Sequence, residues 1–149
     1  DTRAQAAEQL AQLGSEARPA AIALVLGSGD EAEEVRQWST AALEEMGPPD
    51  VADMASLVSF LEGRSADVGY WAATLLGRLK SEAAPSVDAL AHAVAGSPHL
   101  SVRQRAAWAL GEIGPSAAAA VPALQKAAAG ADPRLSRLAQ AAIEQITGQ

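Results

Sequence analysis

The stretch VRQRAAWALGEIGPSAAAAVPALQKA, residues 102–127, holds a fold in miniature. Its first half is rich in Ala, Leu and Arg, all strong helix formers. Gly114-Pro115 then stops the helix, because glycine closes a helix end and proline cannot continue one. A second apolar run follows from Val121. Two helices of roughly 98–113 and 117–129 are therefore predicted around one tight turn.

The same pattern recurs along the chain. Leu10, Leu43, Leu76, Leu110 and Ile143 are separated by 33, 33, 34 and 33 residues. Leu13, Met46, Leu79, Ile113 and Ile146 keep that spacing, and Leu24, Leu57, Leu90 and Leu124 form a parallel series in the second helix. The one extra residue falls where GSPHLSV (96–102) replaces GRSADV (63–68). A fixed period of this length marks a repeat array. About four and a half units are expected, with nine helices, the first near 2–13 and the last near 133–147. Breaks equivalent to Gly114-Pro115 are Gly14 and Gly47-Pro48-Pro49, whereas Lys80-Ser81 replaces the glycine in the third unit, so that turn must close differently. Asp30 with Glu33 fits a capping box, and Ser97-Pro98 and Asp132-Pro133 place a cap before a first-turn proline.

Composition agrees with an all-α chain. Alanine accounts for 37 of 149 residues, and aromatics for only 3%. Strand formers are scarce. The net charge of −7 disfavours nonspecific binding to nucleic acid or anionic membrane. There is no cysteine, which removes disulfide and thiolate chemistry but leaves the compartment open, with the cytoplasm favoured. No run approaches a transmembrane length and no signal peptide is visible. The chain starts at Asp1, so residues 1–149 are read as a single array cut from a longer protein. The first helix, with Ala6, Ala7, Leu10 and Leu13, is expected to lack a neighbour and to favour self-association.

Helical geometry then sorts the aromatic residues. At about 100° per residue, Val102, Ala106, Ala109, Leu110 and Ile113 share one arc facing the core. Gln104, Arg105, Trp108 and Glu112 occupy the opposite side. Trp38 and Trp71 are repeat equivalents of Arg105, and Tyr70 of Gln104. Four of the five large aromatics thus map to the outward face of one helix type, and Phe60 to the core of the other. Around them sit Gln37, Ala41, Glu45, Thr74, Arg78, Gln104, Arg105 and Glu112. Aromatic patches on one face usually mark a binding site, and that reading is favoured over packing between repeats. Arg36 and Arg103 lie beside the core arc and are expected to bridge adjacent repeats by pairing with acids. Gly77 and Gly111 permit close helix contact.

The motifs Val-Arg at 35–36 and 102–103, Ala106-Ala107, Leu110-Gly111, Ile113-Gly114 and Val121-Pro122-Ala123-Leu124 resemble the HEAT repeat family, and more narrowly the HEAT-like repeats of phycobilisome lyases. The resemblance covers the whole chain. It implies an α-α solenoid with a right-handed sweep, its Val-Arg helices lining the concave side. Glu44 and Ala11 depart from the pattern where Gly77 and Gly111 sit, and Gly69 replaces the usual arginine.

The function expected on these grounds is a noncatalytic scaffold. A protein or peptide partner would lie on the concave face, anchored by Trp38, Trp71 and Trp108 with Tyr70, and contacted by Arg78, Arg105, Glu45, Gln37, Gln104 and Glu112. The resemblance also implies an alternative, a bilin lyase or bilin-binding subunit whose tetrapyrrole would stack on the indoles with its propionates on Arg78 and Arg105. A HEAT-like alkylpurine DNA glycosylase comes last, since its groove must be basic and here Glu45, Glu112, Arg78 and Arg105 sum to zero. Catalysis finds little support. The only histidines are His92, on the outward side of the other helix type, and His99, in a linker. No His-Glu pair supplies the ligands of HEAT-repeat di-iron hydroxylases, and no Ser–His–acid set is organised. The run Asp30, Glu31, Glu33, Glu34 suits a helix N-terminus and has no cation-ligand spacing. No cofactor or metal is called for.

Overall fold

The computed structural model describes residues 1–148, and among them it is all helical, with no strand. Nine α-helices alternate between two layers. The first layer holds α1 (Thr2–Gln12), α3 (Glu33–Met46), α5 (Ala66–Arg78), α7 (Leu100–Ile113) and α9 (Pro133–Thr147). The second holds α2 (Ala21–Gly27), α4 (Met54–Phe60), α6 (Val87–Gly96) and α8 (Val121–Ala128). The helix predicted over 117–129 is a shorter α8 led in by a 3-10 stretch, Gly114–Ala120. Equivalent stretches run over Gly14–Ala20 and Lys80–Ser86. Alanines bury in these lead-ins: Ala17, Ala83 and Ala117 are all within 1% of full burial.

The turns close as glycine chemistry requires. Gly14, Gly47 and Gly114 have φ of +57°, +76° and +79°, values that side-chain-bearing residues rarely adopt. The third unit closes the same way without glycine, since Lys80 itself takes φ +55°. Capping follows the expectation only at Asp132, whose carboxylate accepts from the Leu135 amide ahead of Pro133. Asp30 is not a helix cap. Ala32 occupies that position, while Asp30 accepts from the Ala32 amide and from Arg3 of α1. Nor does Pro98 open a helix: α7 starts at Leu100, and the Ser97 hydroxyl accepts from the His99 amide.

Leu43, Leu57, Leu76, Leu90, Leu110 and Leu124 of the two leucine series are fully buried, and form one continuous core. Residue size sets the spacing of the first layer. A Cβ on Gly77 would lie 2.5 Å from Trp108 Cζ3 and 3.1 Å from Ala109 Cα. One on Gly111 would lie 3.0 Å from Ala142 Cα. Thus α5, α7 and α9 pack closely, as do α1 and α3, where Ala4 and Ala7 are buried. By contrast, α3 and α5 stand apart, almost nowhere bringing Cα atoms within 8 Å. Of the two departures at the glycine position, the small Ala11 lets α1 and α3 stay close, while the exception coincides with the larger Glu44 on α3 and the bulky Trp71 and Leu75 on α5.

Arg103 ties α7 back to α6 of the preceding unit, whereas Arg36 fastens the linker that leads into its own helix, and both bond carbonyl oxygens rather than acids. Arg36 donates to Asp30 O and Glu31 O at 2.7 and 2.8 Å, and Arg103 to Val94 O at 2.9 Å. The reason is placement: Asp30 and Glu31 lie in the linker between α2 and α3, and Val94 in the last turn of α6, where carbonyls lack helical partners.

Candidate functional site

The outward side of α5 and α7 gathers five of the expected site residues into one stack. Tyr70 meets Trp71 edge-on, with ring centroids 5.6 Å apart. The Arg105 guanidinium lies 3.9 Å from the Trp108 ring centroid and 5.1 Å from that of Tyr70. The Arg78 guanidinium is 5.8 Å from the Trp71 ring. Such cation–π contacts contribute about 0.5–2 kcal/mol, more when desolvated. Burial pulls the pKa of both arginines below the ordinary guanidinium value; for Arg78 the neighbouring charge of Arg105 adds to the effect. Both stay charged at neutral pH.

These arginines are already occupied. Arg78 Nη1 donates to Leu43 O at 2.6 Å and Gly47 O at 3.1 Å, closing the C-terminal end of α3. Arg105 Nε donates to Thr74 Oγ1 at 2.8 Å. Expected as open polar contacts, they also tie α5 to α3 and α7 to α5, and both remain half-buried. Thr74, expected on the open face, is fully buried beneath Arg105.

Trp71 is corrected as well. It was expected to face outward, yet it is 8% exposed and belongs to the core. The wider separation of α3 and α5 leaves a space that its indole fills, roofed by Arg78. Trp108 and Tyr70 are half-buried, packed against the core on one side and open on the other. Trp38 on α3 is also half-buried, but stands outside the core contacts.

The remaining expected residues scatter. Gln104 donates to Asp132 Oδ1 at 3.0 Å, supporting the α9 cap. That bond and the Leu135 amide hold the Asp132 carboxyl below the ordinary aspartate pKa, the backbone bond contributing most. Glu112 pairs with Lys80 at 2.5 Å. Gln37 donates to Glu33 at 3.0 Å, and Glu45 is exposed. Where α3 and α5 separate, a cleft of about 400 Å³ opens between Arg36, Gln37, Thr40, Glu44 and Asp67. Glu44 and Asp67, which line this cleft, are not among the residues expected from the sequence, although Glu44 in the glycine position marks the place.

Among the described residues, no group of three or more His, Asp or Glu side chains could hold a metal, and no helix is long and apolar enough to cross a membrane. His92 is exposed on α6, its Nδ1 2.8 Å from Asp88 O, remote from the aromatic stack.

The family model for HEAT repeats matches residues 54–145. Two solved structures of engineered proteins share the architecture. One superposes with a TM-score of 0.59 at 25% identity, covering 97% of this chain and 43% of its own. The other gives a TM-score of 0.63 at 23% identity, covering 99% and 75%. The chain thus spans less than half the length of the first. No curated protein matches the sequence.

Proposed function

The chain belongs to the HEAT repeat family, and from that premise we propose that it is a noncatalytic interaction scaffold holding an extended partner segment along the first-layer face. The observation that carries this reading is the line of half-open aromatic rings, Trp38 on α3, Tyr70 on α5 and Trp108 on α7. Adjacent helices pack about 8–10 Å apart, so these rings span a strip of roughly 20 Å or more. An extended peptide suits that length. A tetrapyrrole would need open indole faces, and Arg105 already covers one face of Trp108 while Trp71 is buried. Rings of this kind, rigid and amphipathic, are the usual anchors of protein interfaces.

Selection from a random peptide-display library tests the reading. Selected peptides are expected to lose affinity on Trp38→Ala and on Trp108→Ala, each by about 2 kcal/mol where the ring is an anchor. Peptides that bind undiminished to both variants would place recognition elsewhere and defeat the proposal.

A further inference from the structure

The two halves of the chain are electrically lopsided. Residues 1–67 contain thirteen acidic and four basic side chains, and residues 68–149 contain five and seven. The excess of carboxylates reaches the open side of α3, where Glu34, Glu44 and Glu45 are exposed, and the first turn of α5, where Asp67 is exposed. None of these four forms an ion pair among the described residues. The cleft's own cation, Arg36, is bound to two carbonyl oxygens.

A second, independent pattern points the same way. Tyr70, Trp71 and Trp108 each carry an internal guanidinium against the ring. Trp38 carries none among the described residues, yet it is half-open on α3, the helix whose Gln37, Thr40, Ala41 and Glu44 line the cleft. The face therefore offers an indole without a cation beside carboxylates without partners. The neighbouring cations, Arg78 and Arg105, lie over Trp71, Tyr70 and Trp108 and bond α3 carbonyls and Thr74.

We infer that the α3 face around Trp38 and the cleft between α3 and α5 receive a lysine- or arginine-rich segment of the partner. This rests on the reading that a partner segment lies along the first-layer face, and adds its chemistry and its end. One cationic side chain lies on the Trp38 ring. A second enters the shallow cleft between Glu44 and Asp67. The segment continues toward Tyr70 and Trp108 by contacts that need no charge. Cation–π attraction and complementary charge both favour this orientation, and the second makes association salt-dependent.

The test uses fluorescence anisotropy with a fluorescein-labelled peptide of alternating lysine and serine, and a counterpart with glutamate at each lysine. The lysine peptide is expected to bind and to weaken as salt rises from low to physiological strength. The glutamate peptide is expected not to bind. Glu44→Gln with Glu45→Gln, and separately Trp38→Ala, should weaken the lysine peptide by about tenfold, at unchanged melting temperature because all three side chains lie outside the core. Glu82→Gln, an exposed carboxylate of the Lys80–Ser86 stretch, should change nothing. Failure of the lysine peptide to bind, equal binding of the glutamate peptide, or indifference to the α3 variants would each overturn the inference. The display selection separates the two failures. Selected peptides that depend on Trp38 and Trp108 but are neutral or acidic sink the cationic specificity and leave the scaffold; peptides indifferent to both tryptophans sink the scaffold.

Discussion

Single residues decide the helix spacing, and two of them give sharp predictions. Gly111→Ala adds a methyl that must displace the Ala142 backbone, 3.0 Å away. Overpacking of this kind costs about 1–3 kcal/mol, which outweighs the helix propensity gained on replacing glycine. Chemical denaturation should show a lower midpoint; an equal or higher one would mean that α7 and α9 can separate freely. At the turns, Lys80 holds φ +55° where the other units use glycine. Its exposed pair with Glu112 contributes at most about 1 kcal/mol. Removing the pair with and without relieving the backbone isolates the strain: Lys80→Gly should be about 1 kcal/mol more stable than Lys80→Ala. Both positions were readable from the chain, since Gly111 was marked for close contact and Lys80 as the turn lacking its glycine.

At the scale of elements, the period and the breaks gave the helices, while the contacts between neighbouring helices escaped them. A helical wheel separates the side facing the second layer from the opposite side. It is blind to how much of that opposite side the next helix of the same layer covers. Coverage depends on the neighbour's side-chain sizes, which is why Trp71 was assigned to the open face and turns out 8% exposed. Glu44, in place of the glycine, prevents a close approach of α5, and the indole occupies the resulting space. Trp71→Ala should therefore lower stability by about 3–5 kcal/mol, as for other buried large-to-small changes, whereas Trp38→Ala should leave the thermal midpoint nearly unmoved. Similar midpoints for the two variants would contradict the wedge. The α9 cap adds a pH signature. The folded-state pKa of Asp132 is depressed, so its contribution is present above the ordinary aspartate pKa and is lost as pH falls below that value toward the folded one. Asp132→Asn should accordingly narrow the stability gap between neutral and strongly acidic solution; a wild-type-like gap would show that the carboxylate contributes nothing to the cap.

For the whole molecule, the two ends of the array differ in kind. At the α9 end the outward surface is polar, carrying the exposed Arg134, Arg137, Gln140 and Glu144. At the α1 end it is mixed, with Gln5, Gln9 and Gln12 exposed beside an apolar corner. Leu13 and Leu26 are 48% and 51% exposed, Ala6 and Ala23 are exposed, and a shallow apolar hollow of about 220 Å³ reaches inward to Leu24. In a stacked array each unit buries its apolar side on the next, so an end face of this composition holds surface that water disfavours, at about 25 cal/mol per Å². Two copies can cover it by meeting α1 to α1 and α2 to α2, because a two-fold contact places the same patch on both partners. The opposite pairing, α1 end to α9 end, would bring opposite charges together but bury leucines against arginine and glutamine. The first arrangement predicts a closed dimer, growing with concentration and little affected by salt. The second predicts open-ended oligomers that salt disperses. Sedimentation velocity at low and high salt distinguishes them. Leu13→Lys with Leu26→Lys should leave a monomer with an unchanged helical spectrum, since both side chains are half-exposed and neither belongs to the core. A protein that stays strictly monomeric at millimolar concentration before any substitution would show that this end needs no cover at all.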